Sequence, residues 1–275
     1  MISDAPGCNS LIQDVTLYKN INRIDIRNTI DKKNVYEREN VRFKFPFNVQ
    51  NSETVIDQAF GEIRPEREQL TGANKNFYSV NNCVTISGIS NSVLLTTLSS
   101  PILEIGEMTG EEWQTDQKKY LAWKRSATSS STIYSWMMNN SWHTNYKASQ
   151  EGKVSFDYSI IPLEPYSQDS KMRSLEVVQP LMAVVSDNAL AYKSLFSVYG
   201  RNKISVSTIR PSQDKSGFIV RLVNLSNQPV KSTMEWGRIK PKTVYQSDNN
   251  EQRIHKLDND SIWMKPYGTL TLKIE

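Results

Sequence analysis

Apolar and polar residues alternate with a period of two through most of this chain. In RIDIRNT, Ile24 and Ile26 lie on one face while Arg23, Asp25 and Arg27 lie on the other, which is the pattern of a strand buried on one side. A second strand is predicted just before it, over residues 11–18. In VRFKFPFNVQ, Val41, Phe43, Phe45 and Phe47 share a face. Pro46 interrupts that run, and because proline has no amide proton to give a neighbouring strand, it predicts a sheet edge or a bulge. The segments FYSVNNCVTISG, NSVLLTTLSS, STIYSWMMNN and KVSFDYSIIP follow, each short and each bounded by Asn, Ser, Gly or Pro. Helical periodicity is weak; the best candidates are residues 111–123 and 180–196, the second broken by Asp-Asn. Many short strands separated by turn signals predict an all-β protein of sandwich type.

A boundary is expected between residues 180 and 200, giving a first β-domain over 1–185 and a small C-terminal β-sandwich over 186–275. The second domain carries a hairpin-like turn at PSQDKSG. It ends on YGTLTLKIE, where Leu270, Leu272 and Ile274 alternate with Thr271, Lys273 and Glu275. A chain of 275 residues is long enough for each domain to have a core.

Charge narrows the range of partners. The 33 basic and 29 acidic residues leave a net charge of +4, with no block of like charge, so no nucleic-acid footprint is expected. No apolar run approaches the roughly 18 residues of a membrane span. The start, MISDAPGCNS, has neither the basic nor the apolar region of a signal peptide, and a strand pattern is under way by Leu11. The expectation is a chain cut from something longer, with its compartment left open. Cys8 and Cys83 are expected as two free thiols.

The chain carries few motifs of recognisable chemistry. A catalytic zinc needs about three protein ligands, yet His143 and His255 are far apart and no metal-binding spacing is present. There is no glycine-rich phosphate loop and no G-x-S-x-G elbow. GEIRPEREQL interleaves Glu62, Glu66 and Glu68 with Arg64 and Arg67. One reading is a salt-bridged connection between strands; the other is a polar loop lining a carbohydrate cleft, where a planar guanidinium binds hydroxyls or fixes a carboxylate. MMNNSWHTNYKASQEG has the same two sides. Trp142 and Tyr146 offer flat apolar area, with Asn139, Asn140, His143 and Asn145 as hydrogen-bonding partners for a sugar. Equally, Trp142 folds over a sheet end and His143 bonds a backbone carbonyl.

The stretches APGCNSL, FPFNV, RPEREQLTGANKNFYSV and MNNSWHTNYKASQEG resemble the C-terminal β-region of glycoside hydrolase family 38, the α-mannosidases, in its bacterial branch. IVRLVNLSNQPVKSTMEW through MKPYGTLTLKIE is similar to the small last β-domain of the same family. The resemblance implies an all-β fold: a large antiparallel supersandwich of the galactose-mutarotase-like type, incomplete here, then a small β-sandwich. It implies that the catalytic residues, and the zinc of a retaining mechanism, belong to a missing N-terminal barrel. This chain would then hold no cofactor and no catalytic residue, and would serve as the non-catalytic partner of that catalytic domain in one polypeptide acting on a mannose-containing glycan. Arg64, Glu66, Trp142, His143, Asn145 and Tyr146 are the expected substrate-binding residues. The alternatives are a stand-alone carbohydrate-binding β-sandwich and a purely structural role in which both loops serve interdomain packing.

Overall fold

The structure, a computed structural model, describes residues 1–109, 124–140, 147–165, 170–185, 194–199, 203–238, 240–258 and 260–275. It divides into two compact units, Met1–Gln179 and Pro180–Glu275.

The first unit contains β1 (Ile2–Ser3), β2 (Cys8–Leu17), β3 (Ile24–Lys32), β4 (Asn40–Pro46), β5 (Glu53–Gln58), β6 (Gly61–Ile63), β7 (Tyr78–Ser79) and β8 (Cys83–Ser87). It continues with β9 (Ser92–Thr97), β10 (Ile102–Ile105), β11 (Thr132–Asn139), β12 (Gly152–Leu163) and one helix, α1 (Ser170–Val178). Eight strands form one antiparallel sheet in the order β1-β2-β3-β12-β9-β8-β5-β6, and four form another in the order β4-β11-β10-β7. A single apolar cluster joins them, with Ile30, Ile56, Ile86, Leu95, Phe156 and Tyr158 from the large sheet and Phe45, Leu103, Ile105 and Ile133 from the small one. Alternation sends Ile24, Ile26 and Val41, Phe43, Phe45 inward, as the sequence predicts. The strand that carries Pro46 ends on it and lies at the edge of the four-stranded sheet, where its missing amide proton costs no ladder bond.

The helix sits on the other face of the large sheet, against β8 and β9. There Val177 and Leu163 pack on Cys83, Leu94 and Ile161. This helix is not among the predicted ones, for a physical reason. The positions it buries most are Ser170, Lys171 and Ser174, so the 3.6-residue period exists in space but not in hydrophobicity. Of the two predicted helices, residues 111–123 lie outside the described residues. In the second, residues 180–185 form neither helix nor strand and Phe196 opens a strand. Cys8 and Cys83 are both free and buried in separate clusters. Burial pushes the Cys83 thiol up to about 12.

The second unit contains β13 (Phe196–Val198), β14 (Ile204–Pro211), β15 (Phe218–Asn224), β16 (Val230–Trp236), β17 (Val244–Ser247), β18 (Arg253–Lys256), β19 (Ser261–Met264) and β20 (Thr269–Ile274). A three-stranded sheet, β13-β16-β19, and a five-stranded sheet, β14-β15-β20-β17-β18, share a core of Val220, Leu222, Met234, Ile262, Leu270 and Leu272 with their neighbours. PSQDKSG is the β14–β15 hairpin, closed by the Ser212 amide donating to the Gly217 carbonyl at 3.0 Å. Gly217 is required by space, since a Cβ there would stand 1.9 Å from the Ile274 carbonyl oxygen.

On the outer side of this sandwich, Lys273 is almost wholly buried and pairs with Asp214 and, at 3.6 Å, with Glu275. Glu275 also takes Arg253 at 2.6 Å, and Glu251 takes Arg210 at 2.6 Å and the Gln213 amide at 2.8 Å. The hydrogen bond from Lys273 holds Asp214 well below the usual carboxylate range, while the Gln213 amide lowers the pKa of Glu251 and Arg253 lowers that of Glu275. A carboxylate whose pKa is lowered by folding stabilises the fold above its unfolded pKa near 4, and that contribution is lost as pH falls through the folded value. Thermal unfolding of this unit is therefore expected to hold level from about pH 7 to 5 and to weaken below about pH 4. Lys273→Met should lower Tm at neutral pH and flatten that acid limb, as measured by calorimetry across the pH range. An acid limb unchanged by the replacement would contradict the assignment.

Candidate functional site

Two surface regions carry the residues singled out from the sequence. The first is the turn after β6. Arg67 and Glu68 donate their amides back to the Arg64 carbonyl at 3.2 and 3.1 Å, and Glu66 adopts a left-handed backbone with φ of 72°. The turn brings Arg64 and Glu66 close in space but turns them to different partners. Arg64 faces three carboxylates, Glu62 at 3.1 Å, Glu68 at 3.2 Å and Glu53 at 3.4 Å. Burial alone would lower the pKa of its guanidinium, but the charges of Glu62 and Glu68 outweigh that and raise it. Glu66 instead accepts from Lys75 at 2.6 Å and from the Ala127 amide, and the Lys75 bond lowers its pKa. A notch of about 420 Å³ opens beside it, lined by Glu66, Gln69, Thr71, Lys75, Lys124 and Arg125.

The second region is the connection between β11 and β12. Trp142, His143, Asn145 and Tyr146 lie outside the described residues. Both roots of their loop are described, and they line a notch of about 340 Å³ together with Lys32, Glu39 and Val41. On one root, the buried Asn140 fixes the backbone of residues 35–39. Its side-chain amide donates to the Val35 carbonyl at 3.1 Å and the Glu37 carbonyl at 2.7 Å, while its oxygen accepts from the Glu39 amide at 2.5 Å. On the other root, Lys147 pairs with Glu151 at 2.5 Å, a bond that lowers the pKa of Glu151. At the floor the buried Lys32 ammonium pairs with Glu39 and donates to the Gly7 carbonyl at 3.1 Å.

This second notch offers amide groups at Asn139 and Gln150, the Ser149 hydroxyl and the Lys147 ammonium around the apolar side chains of Val41 and Met138. A hydroxyl-rich ligand suits that mixture. Lys147 and Gln150 stand in the same stretch that drew attention in the sequence. So does Ser149; Lys32 and Glu39 do not, because their approach to the loop depends on pairing between strands distant in sequence. Among the described residues, no group of three His, Cys, Asp or Glu side chains stands close enough to hold a metal ion. Their donor set does not fit zinc: His255 is exposed on β18, and the two cysteines are buried apart.

Residues 203–274 match the model of the glycosyl hydrolases family 38 C-terminal beta sandwich domain. No curated protein matches the sequence. Among solved structures, an alpha-mannosidase from Enterococcus faecalis V583 superposes with a TM-score of 0.72 at 13% identity, covering 97% of this chain and 29% of its own. A protein in the glycosyl hydrolase family 38 from Enterococcus faecalis superposes with a TM-score of 0.70 at 13% identity, covering 97% and 30%. The chain thus spans less than a third of the length of these structures. It resembles the glycosyl hydrolase family 38 proteins in sequence over residues 203–274, which match that family's C-terminal beta sandwich domain, and in fold over nearly its whole length.

Proposed function

We propose that this chain is the C-terminal, non-catalytic β-region of an α-mannosidase-like retaining glycoside hydrolase. Its role is to pack against an N-terminal catalytic barrel and to help shape the cleft that receives a mannose-containing glycan. The observation that carries this reading is the pair of coverages: almost all of this chain superposes on less than a third of an alpha-mannosidase. The chemistry of bond cleavage, zinc included, is assigned to the rest of such a polypeptide. The loop bearing Trp142, His143, Asn145 and Tyr146 is assigned to the rim of the sugar site, supported by the polar notch at its two roots. Arg64 and Glu66 are assigned to the same rim from the turn after β6.

The purified 275-residue chain is expected to leave an aryl α-mannoside intact at any metal concentration, while the full-length polypeptide hydrolyses it. In that polypeptide, Trp142→Ala should lower kcat/KM by roughly 5- to 150-fold, equivalent to about 1–3 kcal/mol of transition-state binding, at near-native Tm. Hydrolysis by the purified chain would overturn the assignment. An unchanged kcat/KM with a lowered Tm would instead make the loop a packing element.

A further inference from the structure

The notch beside Glu66 is walled by two segments distant in sequence, residues 66–75 after β6 and residues 124–127 before β11. Three hydrogen bonds hold these walls together. The Ala127 amide donates to the Glu66 carboxylate, the Lys75 ammonium to the Arg125 carbonyl at 2.8 Å, and the Lys124 amide to the buried Asn76 side chain at 3.2 Å. Asn76 in turn donates to the Thr109 carbonyl and hydroxyl, both at 3.1 Å, which anchors this end of the notch. Gly72 shapes one wall with a left-handed φ of 80°, a conformation that glycine adopts without strain. Walls tied in this way are already in place for a ligand, and binding costs less when no loop has to be ordered.

The charges of the notch do not cancel. Lys75 pairs with Glu66 at 2.6 Å and Lys124 with Glu107 at 2.5 Å. Arg125 lines the same notch and is exposed, and among the described residues its guanidinium has no carboxylate partner. Three cations thus face two carboxylates, an excess of one positive charge. Donors are left over as well. An ammonium has three N–H groups. Lys75 engages Glu66 and the Arg125 carbonyl, and Lys124 engages Glu107 and the Thr128 hydroxyl, so each keeps one N–H for another acceptor. The Thr71 hydroxyl is also without a partner among the described residues, and Leu70, 86% exposed, adds apolar area.

This combination selects a ligand. The planar fork of a guanidinium matches a carboxylate with two parallel hydrogen bonds. One excess charge suits a monoanion, whereas a dianionic phosphate would meet the repulsion of Glu66. The Glu66 carboxylate still has lone pairs to accept hydroxyl groups, which a bare carboxylic acid lacks and a sugar supplies. We infer that the notch binds an acidic sugar of the uronic acid class. Arg125 pairs with its carboxylate, Lys75, Lys124, Thr71 and Glu66 bond its oxygens and hydroxyls, and Leu70 gives it an apolar contact. That such a sugar belongs to the glycan being hydrolysed rests on the proposed function; the binding itself is a property of the first unit.

Titration of the 275-residue chain with D-glucuronate, D-galacturonate and D-mannuronate, followed by amide NMR, tests this against glucose, its phosphate ester and acetate. At least one uronate should bind roughly 10-fold or more tighter than glucose and acetate, and should shift the amides of Thr71, Gly72 and Arg125. Arg125→Gln should abolish that preference at unchanged Tm, whereas Arg67→Gln, in the same turn but outside the notch, should keep it. No binding by any uronate overturns the inference. So does glucose or acetate binding as tightly, the phosphate ester binding most tightly, or a preference that survives Arg125→Gln. Mannoside hydrolysis by the full-length polypeptide is read in parallel. Uronate binding without hydrolysis upholds the notch and sinks the functional reading; hydrolysis without uronate binding sinks the notch alone.

Discussion

Asp57→Ala is expected to cost the first unit about 3–5 kcal/mol, which is a large part of the stability of an ordinary domain. Asp57 is on β5 beside the inward Ile56, so its carboxylate is on the helix side of the large sheet, where it is 5% exposed. It accepts from Lys171 of α1 at 2.8 Å, and from the Asn81 side chain, the Asn82 amide and the Asn82 side chain, each at 3.2 Å. Lys171 also donates to the Gly61 carbonyl. The helix has little apolar area to hold it down, and Val177 is its one partly buried hydrophobic packed on the Cys83, Leu94, Ile161 cluster. Its position therefore depends on the ion pair. Removing the carboxylate leaves a buried ammonium beside a carbonyl and takes the acceptor from three N–H donors, the Asn81 side chain and the Asn82 backbone and side chain.

Denaturant unfolding checks this directly. The loss should fall on the transition of Met1–Gln179 and spare that of Pro180–Glu275. Replacing both partners at once, Asp57→Leu with Lys171→Met, should recover most of the loss, because a buried pair exchanged for apolar side chains of similar size is often close to neutral. A cost below about 1 kcal/mol for Asp57→Ala would mean that the pair behaves as a solvated one.

Asp57 and Lys171 also mark the limit of what the sequence discloses. The strands were legible because each one's alternation is local: Ile24 and Ile26, or Phe43 and Phe45, sort themselves within a few residues and need no knowledge of their neighbours. The sandwich class follows from their number and spacing. The ion pairs between segments distant in sequence are a different kind of fact. Asp57 and Lys171, or Arg27 and Asp157, meet only after the sheet order is set, and nothing within either segment marks its partner. The helix went unseen because serine and lysine occupy its buried face.

For the candidate site the same distinction holds. The turn Arg64–Glu68 was legible as an interleaved charge pattern, and its geometry is a knot of ion pairs within and around the turn. The loop at 142–146 was legible as a cluster of aromatic and amide side chains. The notch at its base was not, since Lys32 and Glu39 reach it through the pairing of β3 with β12 and of β4 with β11.

Tyr158→Ala is expected to cost a further-reaching 3–5 kcal/mol, the range for emptying an aromatic site in a core. Tyr158 is on β12, inside the eight-stranded sheet between β3 and β9, and it is the largest of the fully buried side chains among the described residues. Its ring meets Phe45 at 4.9 Å and Phe43 at 6.0 Å between centroids, both from the edge strand of the opposing sheet. Its hydroxyl donates to the buried Ser135 Oγ at 2.9 Å, on the adjacent strand of that sheet. One side chain thus ties three strands across the two layers by dispersion, edge-on ring contact and a hydrogen bond.

Tyr158→Phe separates these contributions. It keeps the ring and removes the donor, leaving Ser135 without that bond in a dry site, so a loss of about 1–3 kcal/mol is expected. Burial drives the Tyr158 pKa upward, so its phenol should remain protonated through the ordinary tyrosine titration near pH 10 and ionise only as the unit unfolds, which ultraviolet difference spectra resolve. A Phe variant as damaged as the Ala variant would place the stability in the hydrogen bond and not in the packing. A Phe variant equal to the parent would show that water reaches Ser135, and the two layers would then be less closely joined than the apolar cluster between them requires.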